Sequence, residues 1–235
     1  MKPMAAPTEP RNSPTYPFSR VIAANQLKGA ELIPYKIITY LMDLPDAFNY
    51  QPPDNNDYPR CRLKKYLWYD ESNPLAKPMP TAEQVRSMLF DADEPDINTD
   101  EQKARHPKGY RLFAQRNIGQ SVLDAKTIIK VYPGRILDDT DFRTVIGLQM
   151  EIWSNVNLVA NTKTTAYDRS FDIEQCVREA LAGVDIAGVG TVHFARQGGS
   201  YNGSEVLYTD STEVGRMLYF SVSWSDSDGG VLKTY

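Results

Sequence analysis

Asp138, Asp139 and Asp141 lie close enough in sequence to share a divalent cation, the first chemistry these residue types could do. A metal site draws its remaining ligands from a second cluster at a defined spacing, and none stands out here. The three carboxylates therefore read as a turn. The acidic stretch 91–101 fails the calcium-loop template, because its fifth position is Pro95 and no glycine follows. Arg60, Arg62, Lys64 and Lys65 sit beside Tyr66, Trp68 and Tyr69. Cations mixed with aromatic rings can hold single-stranded nucleic acid by phosphate contact and base stacking. The competing reading is an ordinary helix, with Leu63, Tyr66 and Leu67 at helical spacing and the cations on the solvated side.

The two cysteines, Cys61 and Cys176, form no pattern with His106 or His193, so nucleophilic catalysis has no anchor. Cys176 falls on the apolar side of a helical pattern and reads as a small buried hydrophobe. Gly188-Val189-Gly190 suggests a phosphate loop, but a helix pattern precedes it and a strand pattern follows, the reverse of what phosphate binding needs. The glycines read instead as a tight lead into a strand. No Gly-x-Ser-x-Gly, His-Glu-x-x-His or Cys-x-x-Cys occurs. The sequence thus offers no catalytic, metal or cofactor-binding residues, and the expectation is a protein that is not an enzyme and carries no cofactor.

These residues are positioned by a central stretch, 143–194. Ile146, Leu148, Met150 and Ile152 alternate with polar or small residues, the period of a half-buried strand. In residues 170–184 the apolar positions Ile173, Cys176, Val177, Ala180, Leu181 and Val184 follow the spacing of one helix face. Asp172 or Ser170 would cap that helix and Gly183 would end it, with Glu174 and Arg178 as an exposed pair. A short strand over 189–194 follows. Residues 126–132 read as another strand, ended by Pro133-Gly134. A closing hairpin is expected over 206–209 and 214–224, where Val214, Leu218, Phe220, Val222 and Trp224 share a face that Arg216 interrupts. Nearer the start, 21–44 reads as helix in two pieces restarted at Pro34 and stopped by Pro45. Thr81 with Gln84 resembles a capping box before a short helix carrying Val85, Met88 and Leu89. Residues 110–113 read as a short strand. The sum is an α+β fold: a small, mostly antiparallel sheet packed by one main helix. Residues 1–20, rich in proline, read as a flexible arm: either a disordered tail or an arm that orders on a neighbouring subunit, with Tyr16 and Phe18 as its anchors. Residues 21–235 form a single domain, with 45–124 inserted as a decoration.

A formal charge of −4 argues against a broad basic face for DNA, and 41% hydrophobic residues suffice for a core. No apolar run reaches membrane-spanning length, and no secretory signal pattern opens the chain.

The strand 127–136, the strand 145–153, the helix 173–184, the run Ile186-Ala-Gly-Val-Gly-Thr-Val-His-Phe194 and the closing strand 215–224 together resemble the tail terminator, or tail completion, proteins of the tailed-bacteriophage neck. The helix 34–44 fits as well. The resemblance implies a structural virion protein at the head–tail junction, forming a ring, commonly a hexamer, that terminates the tail tube. Implied partners are copies of itself, the tail tube protein and the neck connector protein, with DNA only passing through the lumen and no membrane. The implied place is the virion, after assembly in the host cytoplasm. Candidate assembly residues are Tyr16, Phe18, Trp153, Tyr167, Arg169 and Tyr201, several of them in the loops 155–169 and 197–203. Residues 60–111 lie outside the minimal family pattern, so a head-completion or other connector protein remains an alternative, and a single-stranded nucleic-acid-binding module a further one.

Overall fold

The computed structural model describes residues 30–44, 56–71, 73–116, 126–139, 143–155, 158, 169–194, 203–208 and 213–225. Helix α1 (Ile33–Leu41) follows a 3-10 turn and carries Pro34 in its first turn, where the missing N–H costs nothing. It ends at Met42, and Asp43 turns the chain with φ 49°. Helix α2 is Pro59–Trp68, also opened by proline. Two short helices follow, α3 (Ala82–Arg86) and α4 (Asp100–Arg105), each opened by a capping box, Thr81 with Gln84 and Thr99 with Gln102. Strands β1 (Leu112–Phe113), β2 (Thr127–Asp139) and β3 (Arg143–Asn155) lead to helix α5 (Arg169–Leu181). Strands β4 (Asp185–Ile186), β5 (Gly190–His193), β6 (Gly203–Tyr208) and β7 (Glu213–Ser225) complete the order.

The architecture is α+β. One seven-stranded sheet runs β1-β2-β3-β7-β5-β4, and β6 also pairs with β7. Among the described strands β1 pairs with β2 in parallel and the other pairs are antiparallel. Strand β7 is central, because β3 covers one side of it while β6 (along Val214–Tyr219) and β5 (along Ser221–Ser223) share the other. The alternation foreseen in β3 puts Ile146, Leu148, Met150 and Ile152 on one face. Ile129 and Val131 of β2 and Leu218, Phe220 and Val222 of β7 join them. Helix α5 lays Ile173, Cys176, Val177, Ala180 and Leu181 on that face, and α1 adds Ile33, Ile37, Ile38 and Leu41. Burying this apolar surface is the main stabilising term.

Four expectations need correction. Pro133-Gly134 does not end β2: the strand continues to Asp139 through two register shifts, which absorb the residue without an N–H as bulges. The helix does not use Asp172 or Ser170 as its cap, because it already begins at Arg169, and Asp172 instead accepts from Tyr66 Oη at 3.1 Å. Glu174 and Arg178 do pair, yet Glu174 is buried, because Arg216 of β7 reaches it from the other side. Finally, the segment 45–124 is woven into the fold. Leu63, Tyr66, Leu67 and Trp68 of α2, with Val85, Met88 and Leu112, belong to the main core, and β1 adds a strand to the sheet. Gly183, at φ 71°, ends α5 as foreseen. Gly188 and Gly190, at φ 69° and 91°, turn β4 into β5.

Candidate functional site

The basic, aromatic stretch 60–69 is helix α2, and its cations have partners within the chain. Arg60 donates to Tyr40 O at 3.2 Å and pairs with Asp43, which also takes Lys64 Nζ at 2.7 Å. Arg62 pairs with Glu179 of α5, and Lys65 Nζ meets Asn56 Oδ1 at 3.0 Å. Leu63, Tyr66 and Leu67 are buried as the helical spacing predicts, but Lys64 and Lys65 are buried too, at 4% and 3% exposure, rather than solvated. The arrangement clamps the end of α1 to α2 and α2 to α5.

The other chemical candidates are equally occupied by structure. Cys61 and Cys176 are buried, and burial pushes the Cys176 thiol up to about 12. His106 Nδ1 lies 2.7 Å from Ser87 O, with its ring against Tyr110. His193 sits on β5 opposite Ser221. The stretch 91–101 is largely exposed, with Glu94 paired to Arg105 and Asp91 accepting from its own neighbour Asp93 N. Asp138 and Asp139 belong to β2 rather than to a turn, and Asp141 lies outside the described residues. Among the described residues no group of three or more His, Cys, Asp or Glu could hold a metal, and no helix is long and apolar enough to cross a membrane.

Two of the six candidate assembly residues are turned inward. Arg169 is fully buried, donating to Tyr69 O at 3.0 Å and to Glu71 O, so it ties the start of α5 to the end of α2. Burial lowers its pKa. Arg111, 2% exposed, completes this junction with a bidentate pair to Asp70 at 2.6 and 2.7 Å and a bond to Leu67 O. Trp153, 9% exposed, packs beside Tyr110, Phe113 and Ile128, with its ring over Gly215 on the facing strand. Its Nε1 donates to Glu151 Oε2 at 2.8 Å. Both residues are buried within the subunit itself. Tyr16, Phe18, Tyr167 and Tyr201, with the loops that carry the last two, lie outside the described residues, as does the arm 1–20.

On the sheet face away from the helices, Glu151 also accepts from Tyr132 Oη and sits 3.5 Å from Lys130 Nζ. Burial first, then the bond to Glu151, raises the Tyr132 pKa, so the ring stays a neutral donor held in place. This fixed tyrosine floors a notch of about 390 Å³ at the outer side of β2, lined also by Glu31, Ala114, Gln115, Arg116, Pro133, Gly134 and Gln149. Arg116 is exposed, with its guanidinium 5.7 Å from the Tyr132 ring.

The notch marks one border of the sheet. Strand β1 covers β2 only at Ile129 and Lys130, so among the described residues the outer side of β2 beyond them is unpaired. The second border is β6, which pairs only with β7 among those residues. Natural edge strands are commonly blunted by proline, lysine or bulges. Strand β6 contains neither Pro nor Lys, keeps a regular register, and exposes Val206 at 42%. The sequence does not show which strands form these borders. A strand ladder can be read from periodicity, but which strands end outermost depends on pairings between residues far apart in the chain. The one available signal was Pro133-Gly134, since proline inside a strand marks an edge or a bulge.

Comparisons with protein-family models, with curated proteins and with solved structures return no match.

Proposed function

We propose that this chain is a structural subunit of a tailed-phage virion, assembling into a ring at the head–tail junction that terminates the tail tube and joins it to the connector. The observation that carries the reading is the pair of unlike borders, β6 on one side and β2 on the other, that are unpaired among the described residues. A contact between two different surfaces is heterologous, and repeated by rotation it closes into a ring. Strand polarity is compatible with closure. From β2 through β3 and β7 to β6 every pairing is antiparallel, so β2 and β6 run in opposite directions. A copy rotated about an axis along the strands keeps its own direction, so its β2 meets β6 antiparallel, with the helical layers all on one side.

The test is the assembly state and its location. Size-exclusion chromatography with light scattering should give a closed oligomer, and negative-stain images should place rings at one end of isolated tails. A monodisperse monomer at high concentration removes the reading. Rings that bind heads instead of tails transfer the protein to the head-completion class.

A further inference from the structure

We propose that the notch beside β2 is the socket for strand β6 of a second copy of this chain, with Arg116 of one subunit taking Glu205 of the next. The inference rests on the ring reading and deepens it by naming the contact. Strand alternation puts Tyr132 and Gln149 on the sheet face away from the helices, and both line the notch. On β6, Glu205 lies opposite Met217, on that same face, and it is exposed. An antiparallel neighbour keeps faces matched, so Glu205 arrives on the side where the notch opens. A notch of about 390 Å³ has room for side chains of an incoming strand.

Both charges are held in position before they meet. The Arg116 guanidinium lies 5.7 Å from the centroid of the Tyr132 ring, which is anchored by Glu151. The Glu205 carboxylate accepts from Tyr219 Oη. The planar guanidinium fork is pre-organised for a carboxylate, so less freedom is lost per hydrogen bond formed. Val206 would exchange its exposure for contact at the joint. The alternative use of β6, antiparallel against β6 of a twofold mate in the register centred on Glu205, sets two Glu205 carboxylates opposite each other, which is repulsive. Charge complementarity therefore favours the head-to-tail arrangement over that one. The register is offset along the strands, as in tilted strands of closed sheets.

Cysteine cross-linking tests this, because both native cysteines are buried. In the full chain, Arg116→Cys with Glu205→Cys should give, on mild oxidation, a ladder of disulfide-linked multimers, while either replacement alone gives none. Dimers from Glu205→Cys alone would mean that β6 meets itself and would overturn the proposal. A closed oligomer by light scattering with no ladder from the double variant would also overturn it while leaving the ring reading intact. A monomer with no ladder would remove both. As a second measurement, Arg116→Glu and Glu205→Arg should each shift the light-scattering mass to that of the 26.5 kDa monomer, and the combined swap should restore the oligomer. Failure of the combined swap to restore a mass lost in the singles would count against this ion pair.

Discussion

Gly215 has no side chain because Trp153 occupies the space where one would be. A Cβ there would lie 2.6 Å from the indole ring. Gly215→Ala should therefore push Trp153 off its strand and lower stability by about 1–3 kcal/mol, as overpacking does, measurable in a denaturant titration followed by tryptophan fluorescence. Glu174 makes a second residue-scale case. Its burial alone would raise its pKa, but bonds from Arg216, Arg178 and Ser204 outweigh this and hold it below the usual value of 4.5. A carboxylate depressed in the folded state contributes stability that is present above 4.5 and is lost as pH falls from there through the folded value. Glu174→Gln should accordingly be less stable than the native chain near neutrality, with the difference narrowing in acid below that point. An unchanged gap across the acid limb would contradict the assignment. The sequence reading had marked Arg216 only as an exception on an apolar face. Its partner lies on another element, which periodicity cannot reveal.

At the scale of elements, the strands and helices that bury a continuous stripe were legible, and those placed by single polar contacts were not. The face of α5 follows directly from its spacing, as does the alternation of β3. Helix α2 shows the limit. Its cations suggest a solvated or nucleic-acid-facing side, yet Asp43, Glu179 and Asn56, from three other places in the chain, draw them inward. Ion pairs between distant segments leave no local signature. With those cations engaged, the chain should show no salt-sensitive retention on single-stranded DNA at low ionic strength. Steep salt-dependent binding would show that α2 is not as closed as described. The bulges in β2 are a subtler case: proline and glycine announced a break, and the break became a local irregularity because β3 supplies a partner along the whole length.

For the whole molecule, the fold class was legible but the sheet order was not, since β7, late in the chain, inserts between β3 and the strands β5 and β6. The same feature governs how the protein can be made. The thirteen-residue strands β3 and β7 pair along their full length, so an apolar ladder laid down early must await a strand synthesised much later. Until it arrives, Ile146, Leu148, Met150 and Ile152 offer a bare flank to any other nascent chain. Products that stop before Glu213 should therefore collect in inclusion bodies, while the complete chain should stay in the supernatant. Translation through the last strand, rather than the appearance of the main helix, is the step after which the polypeptide becomes safe from its own copies.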